Sequence, residues 1–424
     1  MLSIKNILQN PQEIIDRLSI RNIDATEKIG KILKLDEQKR DTQTQLDNLK
    51  AEANSLAKEI GILMKNKQVE EAEKAKQKTF EIKESTVSLT EKYEQLEKEL
   101  TEILVSLPNT PSFTVPKGKG ADDNVEVKSG GEIPKFDFTP VPHWELIKKY
   151  NIIDFELGTK LTGAGFPVYL GKGAKLQRAL INFFLDQGEK AGYREVQPPI
   201  VVNKASGYGT GQLPDKDDQM YYVSLDEFYL IPTAEVPVTN IYRDVIVEEE
   251  DFPIKNMAYT PCFRREAGSY GKDVKGLNRL HQFDKVEIVQ LQHPDKSYET
   301  LDEMVNHVEN LVKSLGLPYR ILRLCGGDMG FTSALTYDFE VYSAAQERWL
   351  EVSSVSNFED FQANRLKLRF KSKEQKKTQL AHTLNGSALA LPRIMAALLE
   401  NNQTNEGIII PECLRKYTGF DIIS

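Results

Sequence analysis

Apolar side chains at Leu46, Leu49, Ala53, Leu56, Ile60 and Leu63 follow alternating three- and four-residue steps, the spacing that keeps one seam along a helix. Ile82, Leu89, Tyr93, Leu96, Leu100, Ile103 and Leu107 form a second series of the same kind. Polar residues 65–71 lie between the two, so the pattern predicts two helices folding back on each other as a coiled coil over about residues 27–107. At about 38 residues each, with a rise of about 1.5 Å per residue, they would reach roughly 57 Å and project into solvent. Pro108 and Pro111 stop the second helix, and residues 111–140 have the Gly, Pro, Lys and Asp content of a linker. The chain thus divides into an N-terminal helical arm (1–110), a linker (111–140) and a mixed α and β domain (141–424).

Within that last part the hydrophobic period changes repeatedly. Residues 143–150 and 175–191 have helical spacing, and residues 192–201 read as a strand. Pro198 and Pro199 cannot donate to a ladder, which confines that strand to a sheet edge or a subunit interface. Residues 228–235 and 348–357 read as strands or turns carrying polar side chains, and residues 384–393 lead into an apolar helix. Residues 263–266 read as the end of a strand, 268–276 as a glycine-bearing loop, and 282–290 as an alternating return strand. Alternation along this ribbon puts Arg264 and Glu266 on one face and Phe263 and Arg265 on the other.

A chain of 424 residues with 40% hydrophobic content can bury two or three domains. Its formal charge of −8 argues against a generally basic coat for nucleic acid, while leaving room for a local basic track. Lys50, Lys58, Lys74, Lys76 and Lys78 on the arm are either an ordinary solvated face or contacts for the phosphates of a long nucleic acid. Cys262, Cys325 and Cys413 are isolated, which fits reduced thiols rather than a disulfide framework or a metal site. The first residues lack a secretory pattern, and no stretch approaches the length that spans a bilayer, so a cytoplasmic location without a membrane is expected.

The guanidinium of Arg264 suits bidentate phosphate binding. Together, Arg264 and Glu266 fit either a nucleotide cleft or a charged surface hairpin. Glu351 and Ser354 offer a carboxylate and a hydroxyl, which a magnesium ion takes beside substrate phosphates. Three apart on a regular strand they would face opposite ways, so a shared ion requires a bulge; the alternative is a solvent-facing Glu and a turn serine. Residues 165–172 are not a P-loop, because five residues separate the glycines and no Ser or Thr follows Lys172. No dinucleotide fingerprint is present. His143, His281, His293, His307 and His382 form no ligand-spaced cluster.

Several segments carry a more specific signal: the two-helix arm, Thr-Gly-Gln-Leu-Pro at 210–214, Thr-Ala-Glu at 233–235, Phe-Arg-Arg-Glu-Ala-Gly-Ser at 263–269, His-Gln-Phe-Asp-Lys-Val-Glu at 281–287, and Asn-Gly-Ser at 385–387 ahead of Arg393. In this order they resemble the seryl-tRNA synthetases, which are class II aminoacyl-tRNA synthetases, along essentially the whole chain. The resemblance implies an α+β fold: an antiparallel sheet of six or seven strands flanked by helices, with the long antiparallel coiled coil before it. It also implies a homodimer built around residues 192–201. The implied activity is activation of L-serine by ATP and transfer to tRNA(Ser), and to tRNA(Sec) where the organism has one.

Site roles follow from the same resemblance. Arg264, Glu351 and Arg393 would be catalytic. ATP would be held by Arg264, Arg265, Glu266, Leu280, Phe283, Glu351, Val352, Ser353, Ser354 and Arg393, with Mg2+ on Glu351 and Ser354. Serine would be held by Thr233, Ala234, Glu235, Arg264, Glu287, Asn385 and Ser387. The arm would grip the long variable arm of the tRNA by shape and backbone. Arg265, Phe358, Asn364, Ala388 and Pro392 depart from the common family pattern, which weakens inference about secondary contacts. Two rival readings are a ligase that loads a carrier protein, whose homologues lack the arm, and an interaction protein with a decayed ligase domain. Intact Arg264, Glu266, Glu351 and Arg393 count against the second.

Overall fold

The computed structural model describes residues 1–215, 218–266, 275–373 and 377–424. The chain separates into two compact units, one of Leu2–Ser19 with Ile23–Pro108, the other of Met1, Ile20–Asn22 and Asn109–Ser424.

The smaller unit is dominated by helices α1 (Thr26–Lys65) and α2 (Val69–Ser106). Their 40 and 38 residues correspond to about 60 and 57 Å. Leu56, Ala75 and Ile82 are buried between them, with Leu49, Ala53, Ile60 and Leu63 packed alongside. Lys65 closes the last turn of α1, and Glu70 and Glu71 open the first turn of α2, each matched to the helix dipole at its end. Lys78 meets Glu52 at 2.7 Å and Lys39 meets Glu97 at 2.8 Å across the helix pair. Exposed pairs of this kind contribute little net stability because water screens them, so they set register more than stability. Lys50, Lys58 and Lys74 are exposed.

The larger unit is built on a sheet of eight strands. In chain order they are β1 (Val125–Gly130), β2 (Arg194–Glu195), β3 (Ile254–Phe263), β4 (Gln282–Gln292), β5 (Tyr319–Arg323), β6 (Leu335–Ser343), β7 (Arg348–Asn357) and β8 (His382–Ala390). They lie side by side as β1-β5-β6-β7-β8-β4-β3-β2. Every neighbouring pair is antiparallel except β2 with β3. Two expectations are corrected here. The sheet has eight strands rather than six or seven, and part of the expected linker is an edge strand of it, because β1 pairs with β5. Five of the six β1 residues are exposed, so backbone hydrogen bonds rather than burial hold this strand, and no hydrophobic pattern marks it.

One face of the sheet is apolar. Val286 and Ile288 of β4, Leu384 of β8, Val355 of β7 and Phe339 and Val341 of β6 belong to the main core. That core is completed by helices α3 (His143–Lys149), α4 (Gly171–Lys190), α5 (Ser297–Ser314) and α6 (Leu391–Asn401), through residues such as Leu146, Phe184, Met304 and Leu398. On the opposite face Ala258 and Val289 pack against Ala234 and Val238, at the start of the short helix Glu235–Asn240. The rest of this second face is strongly polar.

Candidate active site

Strand register decides which side chains meet. Across β3 and β4, Cys262 lies opposite Phe283, Thr260 opposite Lys285, and Ala258 opposite Glu287. Across β4 and β8, Glu287 lies opposite Ser387 and Val289 opposite Asn385. Directly opposed residues share a face, so Lys285, Glu287, Asn385 and Ser387 turn away from the main core, while Phe283, at an alternate position of the same strand, still packs against that core. Glu287 Oε1 accepts from Asn385 Nδ2 at 3.0 Å, and its Oε2 accepts from Ser387 Oγ at 3.4 Å. Lys285 Nζ lies 2.5 Å from Glu287 Oε2 and donates to Thr233 Oγ1 at 2.8 Å. Thr233 Oγ1 also accepts from the backbone N–H of Glu235 at 3.2 Å. Glu235 Oε1 in turn accepts from Gln362 Nε2 at 2.6 Å. Thr233, Glu235, Glu287, Asn385 and Ser387 therefore form one buried cluster, with the Lys285 ammonium between hydroxyl and carboxylate.

Burial, with the Glu287 carboxylate nearby, pushes Glu235 up to about 7. A carboxyl whose folded-state value is raised binds its proton more tightly in the native chain than in the unfolded one. Its ionisation therefore costs stability as pH rises from about 4.5 toward 7, and that cost is fully present above about 7. Glu235→Gln should flatten this part of the stability profile: denaturant melts at pH 5.5 and 8 should differ less in the variant than in the parent. An unchanged difference would remove Glu235 as its source.

The Arg264 end of the ribbon departs from the regular strand expected over 263–266. β3 stops at Phe263, and one further bond, from Arg264 N to His281 O at 2.9 Å, ends the ladder. Beyond it the backbone turns, and Glu266 takes a left-handed φ of 48°. Arg264 Nε donates to Pro232 O at 3.3 Å, and its guanidinium lies 5.2 Å from the Phe283 ring centre. Arg265 instead reaches Asp218 at 3.2 Å, and Glu266 accepts from Arg279 at 3.1 Å. Ala267, Gly268 and Ser269 of the motif, and the expected loop as far as residue 274, lie outside the described residues.

The spacing difficulty at Glu351 and Ser354 is resolved by a bulge. Phe339 of β6 lies opposite Ser353 and Glu340 opposite Glu351, so Val352 has no partner and is the extra residue. Its insertion turns Glu351 and Ser354 to the same side, with Ser354 Oγ 3.5 Å from Glu351 Oε1. Asp338 lies opposite Ser354, and its Oδ1 is buried without a hydrogen-bond partner. Burial first, and the Glu351 charge second, raise Asp338 well above the ordinary carboxyl range. These oxygen donors fit a hard cation. Among the described residues no three His, Cys, Asp or Glu side chains converge as a metal cage. Arg393, at the start of α6, spans from Glu351 O (2.7 Å to Nη1) to Asn278 O (3.1 Å to Nε).

The remaining expected contacts sit behind the site. Ala234, Leu280, Val352 and Ser353 are 0%, 4%, 1% and 2% exposed. Leu280 and Val352 belong to the main core, and Ser353 Oγ donates to Ser387 O at 2.6 Å. Three residues outside the expected set take part: Lys285, Gln362 and Asp338. The signal for Lys285 was available, since it alternates with Phe283 and Glu287 on one strand; Gln362 comes from a distant helix and had none.

A large antiparallel sheet with Arg264 and Arg393 beside a polar cluster on one face is the architecture of class II aminoacyl-tRNA synthetases. Residues 221–402 match the class II tRNA synthetase core domain of the G, H, P, S and T enzymes. Residues 1–111 match the seryl-tRNA synthetase N-terminal domain. The serine--tRNA ligase of Salinibacter ruber is 52% identical over 99% of this chain and 98% of its own length. That of Geobacter sulfurreducens is 46% identical over 99% of both chains. The crystal structure of seryl-tRNA synthetase from Pyrococcus horikoshii complexed with ATP superposes with a TM-score of 0.93, at 34% identity, covering 100% of this chain and 99% of that one. The chain belongs to the seryl-tRNA synthetase family.

Proposed function

We propose that the protein joins L-serine to tRNA(Ser) in two steps. The serine carboxylate attacks the α-phosphorus of ATP and diphosphate leaves; the 3′-terminal ribose hydroxyl of the tRNA then attacks the activated carbonyl and AMP leaves. No side chain acts as a covalent nucleophile, so positioning and charge stabilisation supply the catalysis. The observation that carries this reading is the convergence of Arg264, Phe283, Glu287 and Ser387 on one sheet face, with Arg393 bonded to Glu351 at its margin.

In this reading Arg264 holds the serine carboxylate and the α-phosphate. Phe283 stacks on adenine, Glu266 accepts from its amino group, and Arg393 covers the base and reaches the γ-phosphate. Glu351 and Ser354 would hold Mg2+, which when bound neutralises phosphate charge. Thr233 and Glu235 receive the serine ammonium, and Glu287 with Ser387 engages its hydroxyl. Lys285 partners Glu287 and orients the Thr233 hydroxyl. The arm over 1–110 binds tRNA and residues 141–424 carry the chemistry, in the cytoplasm; no helix among the described residues is long and apolar enough to cross a membrane. tRNA(Sec) would be a second substrate where the organism makes it. A homodimer is supported by Ile200, Val201, Tyr222 and Phe228, which are 37–50% exposed. Sedimentation should give twice the chain mass.

Serine-dependent exchange of diphosphate into ATP tests activation, and charging of tRNA(Ser) tests transfer. Activation without charging would favour a carrier-loading ligase; no activation would favour a non-enzymatic role. Selectivity has a separate test. Alanine offers no hydroxyl to Glu287 and Ser387, so it forfeits the hydrogen bonds that serine would make there. Ser387→Ala should therefore reduce the preference for serine over alanine by about tenfold or more, chiefly by weakening serine. Unchanged discrimination in competitive exchange would remove Ser387 from hydroxyl recognition.

A further inference from the structure

The most completely buried ion pair among the described residues of the larger unit belongs to none of the roles above. His143, at the start of α3, and Glu400, near the end of α6, both have fully buried side chains. His143 Nδ1 lies 2.7 Å from Glu400 Oε1, while His143 Nε2 accepts the backbone N–H of Leu277 at 2.9 Å. An Nε2 that accepts leaves the ring proton on Nδ1, so the ring donates to the carboxylate. The other carboxylate oxygen accepts from the Ser343 hydroxyl and from Ala345 N at 3.2 Å. Burial works against the Glu400 charge, yet the His143 and Ser343 hydrogen bonds hold its carboxyl below the ordinary range.

The pair is tied to the segment that returns from the ribbon. Gly276 has φ +67°, and a Cβ there would stand 2.2 Å from His143 Nε2, so the backbone passes directly over the ring. Gln346 Nε2 donates to Glu400 Oε1 at 3.0 Å, and Gln346 Oε1 accepts from Asn278 Nδ2 at 2.9 Å. The carbonyl of that same Asn278 accepts Arg393 Nε at 3.1 Å. Two hydrogen-bonded routes thus run from the His143–Glu400 pair to the backbone that holds Arg393.

We infer that His143 and Glu400 are positioning residues for the ATP side of the site: they clamp Leu277 and Asn278, and through Asn278 O they fix the Arg393 guanidinium for the nucleotide. The inference rests on the assignment of Arg393 to ATP. It is tested by the Michaelis constants for ATP and for serine in diphosphate exchange, measured on His143→Asn and His143→Gln with thermal melts alongside. Asn keeps a donor for Glu400 but cannot reach Leu277; Gln extends to the Nε2 position and can accept that N–H. His143→Asn should raise the ATP constant about tenfold, the scale of one lost buried hydrogen bond, and leave the serine constant within about twofold. His143→Gln should restore most of the loss.

A general structural role would instead lower the melting temperature and move both constants together, or move neither, and either outcome overturns the inference. If the His143 variants do not fold, Gln346→Met decides, since it cuts only the second route: a rise of about threefold in the ATP constant alone is expected, and no change overturns the proposal. Parent protein without serine-dependent exchange would sink the functional reading itself, whereas parent exchange with an unmoved ATP constant in the variants sinks this inference alone.

Discussion

Arg264→Ala is expected to lower serine-dependent diphosphate exchange by about a thousandfold, with the melting temperature nearly unchanged. As the serine carboxylate approaches phosphorus, negative charge grows on oxygens that a guanidinium at this position can bridge. Loss of one such preorganised donor costs about 100- to 1,000-fold in rate, and Arg264 is proposed to serve two oxyanions at once. The side chain is oriented by its bond to Pro232 O and its contact with the Phe283 ring. Little reorganisation is then needed when ATP enters. Arg264→Lys keeps the charge and loses the planar fork, so it should recover only part of the rate. Exchange by Arg264→Ala within tenfold of the parent would displace Arg264 from the reaction centre, whatever its position on the sheet.

The parts of this site that could be read from sequence are those where strand alternation or motif order determines facing. Phe283 and Glu287 share a face because they lie four positions apart on a regular strand, and the register with β8 then brings Ser387 opposite Glu287. Glu351 and Ser354 illustrate the limit of that reasoning. Regular alternation separates them, and only the unpaired Val352 turns them the same way. Bulges carry no reliable side-chain signature, since the extra residue here is an apolar one that joins the core like any other. Edge strand β1 was hidden for a different reason: an exposed strand has no apolar face, so its composition matches a loop. His143 reads in the sequence as one of several unclustered histidines, because its partners Leu277 and Glu400 lie 134 and 257 positions away along the chain. Lys285 was within reach of the alternation argument, but a lysine on a strand reads as a solvated charge until its neighbours are known to be buried.

Removal of residues 50–83, with a short Gly-Ser turn joining the stubs, should separate the two halves of the reaction. The larger unit keeps its own core and every residue proposed to bind serine and ATP, so exchange should stay within about twofold of the parent. Tethering between the helix stubs survives in Leu46, Leu96, Leu100 and Leu104, all buried in the intact chain. Lost instead are Lys50, Lys58 and Lys74, exposed on the helix pair, together with Lys76 and Lys78, which are partly neutralised by Glu73 and Glu52. If a few of these lysines contact RNA phosphates, charging efficiency should fall by about a hundredfold or more, and the dependence of charging on salt should flatten because fewer counterions are released on binding. The salt slope distinguishes this from a folding defect, which would lower exchange as well and leave the slope of the residual charging intact. Equal losses in exchange and charging would contradict a division of labour between the arm and the sheet.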